Sequence, residues 1–179
     1  MPDPAEYLGV VGDVTDALRA LDLEPILVGG MALVVLGSRR VTRDFDLLIP
    51  APGARLAELV GLMYDRNLQL VSRLNRDGEV TATVSSRGAA AARLRIDRPP
   101  TAYFYDSRTG LRIDLLFDFP IAAETLAPHA TRVRIGTHFI HVAAERHLLE
   151  LKRIAAANRK SPGDMEDLAF LERRIKEEG

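Results

Sequence analysis

The chain has 179 residues, of which 47% are hydrophobic, and this size fits one compact domain with a buried core. Its 24 basic and 25 acidic residues leave a net charge of -1, so no overall charge draws it toward nucleic acid or an anionic membrane. It has no cysteine, which excludes disulfides, thiolate zinc sites and cysteine nucleophiles. No apolar run reaches the roughly 18 residues of a membrane span, and residues 1–6 lack the basic start of a signal peptide. We therefore expect a cytoplasmic protein with no membrane partner.

The first fifty residues predict a helix and two strands with a glycine turn between them. Apolar residues at helical spacing predict an amphipathic helix over 5–21. The apolar run 26–28 predicts a short strand that ends at the glycine pair 29–30, and a short buried helix is expected over 31–36. Strict alternation of polar and apolar residues predicts a second strand over 44–49.

The rest of the chain predicts more strands and three further helices. Helices are expected over 54–66, 143–157 and 162–177, with Ser161 capping the last and Asp164 as the acid of its capping box. Strands are predicted, in chain order, over 79–84, 93–97, 102–105, 111–117, 133–135 and 139–142. The predicted fold is α/β, with a short mixed sheet flanked by helices. Residues 1–142 would form the core, and residues 143–179 a helical hairpin packed on it.

Two carboxylates share one face of the strand predicted over 44–49. Side chains alternate along a strand, so Asp44 and Asp46 project side by side with Cα atoms roughly 7 Å apart. Like charges held this close repel, and a divalent cation between them relieves the repulsion. Mg²⁺ prefers one or two carboxylates with phosphate and water, so the pattern predicts a site for Mg²⁺ or Mn²⁺. The alternative is a solvated strand face, which many antiparallel sheets have.

A third carboxylate is expected on the strand over 111–117. Asp114 and Asp118 lie on its polar face, opposite the apolar face. We favour Asp114, which sits in an apolar strand context, and a third acid there would allow two ions to be held, as in two-metal catalysis. Asp118 remains the alternative.

The glycine turn at 29–30 suits a bound phosphate. Glycine lets the backbone approach an anion closely, and the next helix presents its first N–H groups to it. Tight turns between strand and helix use glycine pairs routinely, so this pattern alone is weakly specific.

Residues 27–49 resemble the signature of the polymerase-β-type nucleotidyltransferase superfamily, which is a strand, a glycine pair or Gly-Ser, a short helix and Asp-x-Asp on the next strand. They look most like the minimal bacterial branch related to the AbiEii-type toxins, in which an arginine and a Ser/Thr precede the Asp-x-Asp, as Arg40 and Thr42 do here. The tail is similar to that branch's leucine–lysine, arginine and Asp-x-x-Asp pattern, carried here by Leu151, Lys152, Arg159, Asp164 and Asp167. The likeness covers residues 20–50 and 110–172 and leaves 67–105 unmatched.

The resemblance implies a nucleotidyltransferase-like core and Mg²⁺-dependent transfer of a nucleoside monophosphate from an NTP to an acceptor hydroxyl. The implied setting is a toxin–antitoxin or phage-defence system, with a cognate antitoxin or toxin as candidate partner. The implied catalytic and metal-binding residues are Asp44, Asp46 and Asp114, and the implied nucleotide-binding residues are Gly29, Gly30, Arg40, Thr42 and Lys152. One departure is Gly30, since many members carry serine there and its hydroxyl touches phosphate.

Several alternatives stay open. The chain could be a non-catalytic binding or regulatory module on the same scaffold, because so short a chain shows no evident acceptor-binding domain. It could also be a metal-dependent phosphodiesterase or nuclease that uses the same carboxylates.

Asp164 is expected to cap a helix, and Asp167 to pair with Lys152 or Arg159. The acceptor could be tRNA, a protein or a small molecule.

Overall fold

The computed structural model describes residues 4–158 and 162–179, so Ser161 and Arg159, which the sequence singles out, lie outside the described residues. The α-helices of the described part are α1 (Pro4–Ala20), α2 (Gly29–Val35), α3 (Leu56–Tyr64), α4 (Arg87–Asp97), α5 (Ala123–Leu126), α6 (Glu145–Asn158) and α7 (Pro162–Glu178). Short 3-10 turns precede α3 at Gly53–Arg55 and follow α5 at Ala127–His129. In this part of the chain, none of the helices is both long and apolar enough to cross a membrane.

The strands form one mixed sheet. They are β1 (Ile26–Val28), β2 (Asp44–Ile49), β3 (Gln69–Leu74), β4 (Val80–Thr83), β5 (Thr101–Tyr105), β6 (Arg112–Phe117), β7 (Thr131–Ile135) and β8 (His138–Val142). Their order across the sheet is β4-β3-β5-β6-β2-β1-β8-β7. The central pair β2 and β6 is parallel, as is β1 with β8, while β1 and β2 are antiparallel. The mixed α/β architecture predicted from the sequence is therefore confirmed.

The hydrophobic core lies where the helices cover the central strands. On β2, Phe45, Leu47 and Ile49 are buried, as their alternation with the two acids predicts, and Leu48 is buried as well. This burial of consecutive residues shows that both faces of the sheet are covered at the end of β2. The acids at the start of the strand therefore lie at the border between the core and the solvent.

One predicted strand is wrong. Residues 93–97 belong to α4 (Arg87–Asp97), whose first turn is capped by the Ser86 hydroxyl, which accepts a hydrogen bond from the Ala89 amide at 3.3 Å. Four consecutive alanines, 89–92, follow the cap, and alanine has the highest helix propensity of all residues. The short alternation over 93–97 is thus the end of an amphipathic helix.

Candidate active site

The register between β2 and β6 brings the predicted acids together. Asp46 lies directly opposite Asp114 in this parallel pair, and Asp44 lies opposite Arg112. The acids face a cleft of about 900 Å³ that lies between the central strands and α6. All the site residues implied by the resemblance line this one cleft, namely Gly29, Gly30, Arg40, Thr42, Asp44, Asp46, Asp114 and Lys152.

Asp114 has the most perturbed environment in the cleft. Burial raises the pKa of its carboxyl to about 8, and the neighbouring charges of Asp46 and Asp44 add to this effect. Its Oδ1 is buried and has no hydrogen-bond partner in the described part of the chain. A buried carboxylate without compensation is costly, so this group favours a proton or a cation.

The donor set fits a hard divalent cation. It consists of carboxylate oxygens, which are the ligands that Mg²⁺ and Mn²⁺ prefer. Across residues 4–158 and 162–179, no three acidic or histidine side chains are grouped so as to hold one ion, and Asp44 Oδ1 lies 3.9 Å from Arg112 Nε. A cation here would take one or two of these carboxylates, and phosphate and water would complete its coordination.

The glycine turn lies against the same carboxylates. Gly29 has φ +71°, and a Cβ added to it would stand 2.0 Å from Asp46 Oδ2. Only glycine combines this backbone conformation with such a close approach. A Cβ on Gly30 would stand 3.0 Å from Arg40 Nη1, so the backbone of this second glycine lies beside the guanidinium. The helix that follows begins at Gly29, two residues earlier than predicted.

The loop between α2 and β2 carries two of the expected nucleotide-binding residues. The Thr42 hydroxyl accepts a hydrogen bond from the Asp44 amide at 3.3 Å, which fixes the start of β2. The Arg40 guanidinium forms an ion pair with the buried carboxylate of Asp167 on α7. This contact ties the loop beside the carboxylates to the C-terminal helices.

Lys152 is buried and paired. Its Nζ lies 2.7 Å from Asp167 Oδ2 and 3.1 Å from Asp164 Oδ1, so one ammonium joins two carboxylates on the neighbouring helix. The expected pairing of Asp167 with Lys152 is confirmed. Lys152 also lines the cleft, so its expected contact with phosphate stays a prediction.

Asp118, the alternative third acid, serves another purpose. It follows β6 with φ +47° and leaves the line of the strand. Its Oδ2 accepts from the Ala51 amide at 2.9 Å and its Oδ1 from the Ala123 amide at 2.8 Å. Asp118 therefore holds the segment after β2 and the start of α5 in place. Of the two acids, Asp114 is the one that lines the cleft.

Sequence reasoning missed the residues on the far side of Asp114. Tyr103 on β5 lies opposite Asp114 in the sheet, and burial raises the pKa of its phenol to about 12, with the charge of Asp44 contributing. Leu74, Arg112 and Phe119 also line this part of the cleft. The alternation over β5 was the available signal, but nothing in it shows that β5 pairs with β6.

Comparison with known proteins identifies the architecture. No family model matches the chain, and no curated protein matches it. Among solved structures, the antibiotic-resistance factor ANT(2'')-Ia superposes with a TM-score of 0.61 at 11% identity, covering 97% of this chain and 86% of that one. An antigenic nucleotidyltransferase-like protein from Paracoccidioides brasiliensis gives 0.60 at 15% identity, covering 94% and 76%. The chain has the nucleotidyltransferase fold.

Two further structures of this fold contain ligands. The lincosamide antibiotic adenylyltransferase LnuA, with lincomycin bound, gives a TM-score of 0.57 at 11% identity and covers 93% of this chain and 95% of that one. A structure of ANT(2'')-Ia with adenylyl-2''-tobramycin gives 0.60 at 13% identity, covering 95% and 90%. At these identities the likeness shows the fold alone. None of these similarities places the chain in the AbiEii-type branch, so membership of that branch stays a prediction.

Proposed function

We propose that this protein is a metal-dependent nucleotidyltransferase that moves a nucleoside monophosphate from an NTP to an acceptor hydroxyl. The observation that carries the proposal is the register that sets Asp46 opposite Asp114, with the backbone of Gly29 against the Asp46 carboxylate. The nucleotidyltransferase fold of the chain supports the same reaction.

The chemistry divides among the residues of the cleft. One or two of the carboxylates of Asp44, Asp46 and Asp114 would bind each Mg²⁺ or Mn²⁺ ion, and the ion would neutralise charge on the phosphates. Asp114, whose carboxyl lines the cleft and has a buried oxygen without a hydrogen-bond partner in the described part of the chain, would orient the acceptor hydroxyl and accept its proton. The acceptor oxygen then bonds to the α-phosphorus, the bond from that phosphorus to the bridging oxygen breaks, and pyrophosphate leaves.

The nucleotide would lie on the glycine side of the carboxylates. The backbone at Gly29 and Gly30 gives the triphosphate close access, and Arg40 stands beside Gly30. Thr42 holds the start of β2, and Lys152 supplies a positive charge from α6. Both cations already have acidic partners on α7, so phosphate binding would share them with Asp164 and Asp167.

The biological setting belongs to the proposal as well. The resemblance of residues 27–49 and of the tail favours a cytoplasmic toxin–antitoxin or phage-defence role with a cognate partner. The solved neighbours instead include antibiotic adenylyltransferases, so the acceptor could be a small molecule.

The test is a label-transfer assay. Purified protein meets each α-labelled NTP with Mg²⁺ or Mn²⁺ in cell extract, beside Asp46→Asn and the matched control Asp97→Asn, which removes an exposed acid at the end of α4. We expect transfer to fall at least about 100-fold in Asp46→Asn, because charge stabilisation at a reacting phosphate is worth that much. The control should keep the wild-type rate.

Three results would count against the proposal. Equal transfer by Asp46→Asn and wild type would show that the carboxylates are not the site. Release of nucleotides from nucleic acid without an NTP would favour the phosphodiesterase alternative, and absence of both activities in a folded protein would favour a binding module.

A further inference from the structure

The sheet order divides the cleft into two sides. The glycine turn follows β1, the acids lie on β2 and β6, and β5 comes next, in the order β5-β6-β2-β1. The nucleotide side is therefore separated by the carboxylates from a second side, which we name the acceptor wall. Its residues are Leu74, Tyr103, Arg112, Leu116, Phe119 and Pro120, all of which line the cleft.

The acceptor wall is largely apolar. Leu74 is 47% exposed and Phe119 is 44% exposed, and both line the cleft, as apolar side chains commonly do in small-molecule sites. Arg112 Nη1 donates a hydrogen bond to the Gly78 carbonyl at 3.3 Å, which holds the tip of the β3–β4 hairpin near the site. Leu74, on the same hairpin, thereby faces the same space as Phe119.

The charges around the cleft are unsuited to a polycation. Among the described residues that line it, the acids are Asp44, Asp46 and Asp114, and the cations are Arg40, Arg112 and Lys152. The three acids are the ones that the proposed reaction uses for metal and proton transfer. No further carboxylate of the described residues lines the cleft to bind an ammonium group, and the one charge on the acceptor wall is the positive charge of Arg112.

We propose that the acceptor is an alcohol that carries an apolar or planar ring beside its reactive hydroxyl and has no cluster of positive charges. This inference rests on the proposed nucleotidyl transfer and specifies its substrate class. The ring would lie against Leu74 and Phe119, with the hydroxyl at Asp114. The class differs from tobramycin, the aminoglycoside held as its adenylyl product in ANT(2'')-Ia.

The first experiment measures binding, so that it does not depend on turnover. Saturation-transfer NMR compares 4-nitrophenyl β-D-glucoside with tobramycin, each added to the full chain with Mg²⁺ and a non-hydrolysable ATP analogue. We expect the neutral aryl glycoside to bind at least tenfold more tightly. Tighter binding of tobramycin, or binding of neither compound while the ATP analogue binds, would overturn the inference and leave the proposed function standing. If the ATP analogue does not bind, the comparison is repeated with analogues of the other NTPs, and failure to bind any of them would overturn both.

A series of variants that add a negative charge tests where the ring lies. Leu74→Glu and Phe119→Glu each add a carboxylate to the acceptor wall at an exposed side chain, so folding should tolerate them. Each should shift the affinity ratio of the two compounds toward tobramycin by at least tenfold. Ile96→Glu is the matched control, because Ile96 is 79% exposed on α4 and does not line the cleft. An unchanged ratio in both acceptor-wall variants would exclude this wall as the acceptor side.

Discussion

At the residue scale, the ionised carboxylate of Asp114, which is the form that binds a metal, lowers the stability of the metal-free protein. Its folded pKa is about 8 against an ordinary value of 3.8. The carboxyl is therefore protonated in the fold and ionised in the unfolded chain over the pH range between these values. The Asp114 carboxyl therefore makes its full contribution to the free energy of unfolding below about pH 4, and this contribution is lost as the pH rises through 8.

We predict that Asp114→Asn is more stable than wild type at pH 8 in EDTA, and nearly equal to it at pH 4. The gain should be at least about 1 kcal/mol, since one pKa unit corresponds to about 1.4 kcal/mol. Thermal melts at the two pH values measure it. The same variant should lose transfer activity about 100-fold or more, as the removal of a general base does.

Asp118→Asn is the control for this prediction. It weakens the contacts to the Ala51 and Ala123 amides, so it should lower the melting temperature and keep the transfer rate of each folded molecule. Equal melting of wild type and Asp114→Asn at pH 8 would show that the Asp114 carboxyl is not strained in the metal-free protein.

Gly29 gives a second prediction at this scale. Gly29→Ala places a Cβ 2.0 Å from Asp46 Oδ2 and also strains a backbone with φ +71°, so it should lower stability and displace the Asp46 carboxylate. Gly37→Ala is matched, because Gly37 has φ +104° and nothing within 4 Å of the added Cβ. Both variants should lose about 1 kcal/mol from backbone strain. Mn²⁺ affinity should fall only in Gly29→Ala, and an equal fall in both would contradict the close approach.

At the element scale, a group of buried charges links α6 to α7, beside the apolar side chains that pack there. Lys152 is paired with Asp164 and Asp167 on α7, and Arg40 reaches Asp167 from the loop before β2. These contacts connect the C-terminal helices to the loop that leads into the carboxylates. A change in this network should therefore affect both stability and the site.

We predict that Lys152→Met destabilises the fold by about 3–5 kcal/mol, because it removes the ammonium shared by two buried carboxylates and leaves Asp167 with Arg40 as its cation. Lys176→Met, an exposed lysine in the last turn of α7, should change stability by less than about 0.5 kcal/mol. Urea denaturation measures both. If the KM for NTP rises in Lys152→Met under conditions in which the variant is folded, Lys152 also contacts phosphate. An unchanged free energy of unfolding would contradict the buried pairing.

The same scale shows where local sequence is sufficient. The strand at 44–49 was predictable because strict alternation and an apolar face are local signals. The strand predicted over 93–97 was wrong because five alternating residues are too few to distinguish a strand from the end of a helix. The alanine run before this stretch favours the helix. The pairing of Lys152 with Asp167 was expected from the sequence, whereas its burial and its second contact, with Asp164, depend on the packing of α7 against α6.

At the whole-molecule scale, the site depends on pairing between strands that are far apart in the chain. The resemblance of residues 27–49 could indicate the fold and two of the acids. It could not show that β6 lies parallel to β2 with Asp114 opposite Asp46, because strand order is set by long-range packing. The acceptor wall was missed for the same reason, since it forms only when β3, β5 and β6 come together.

The division into a core over 1–142 and an extension over 143–179 stays a prediction, and a truncation tests it. Leu148 and Leu149 on α6 and Leu171 on α7 belong to the same buried cluster as the strands. Loss of these residues would expose the core, at about 1.5–3 kcal/mol for each large apolar side chain. That sum is a large share of the 5–15 kcal/mol that stabilises a typical domain.

We therefore predict that residues 1–142 alone do not unfold cooperatively, and that adding residues 143–179 in trans restores part of the transition. Circular dichroism melts of the fragment, the pair and the full chain measure this. A fragment that melts cooperatively and binds Mn²⁺ with NTP would show the core to be independent. In that case the role of α6 and α7 would be to form one wall of the cleft and to supply Lys152. Their packing on the sheet would not be needed to hold β2 and β6 in register.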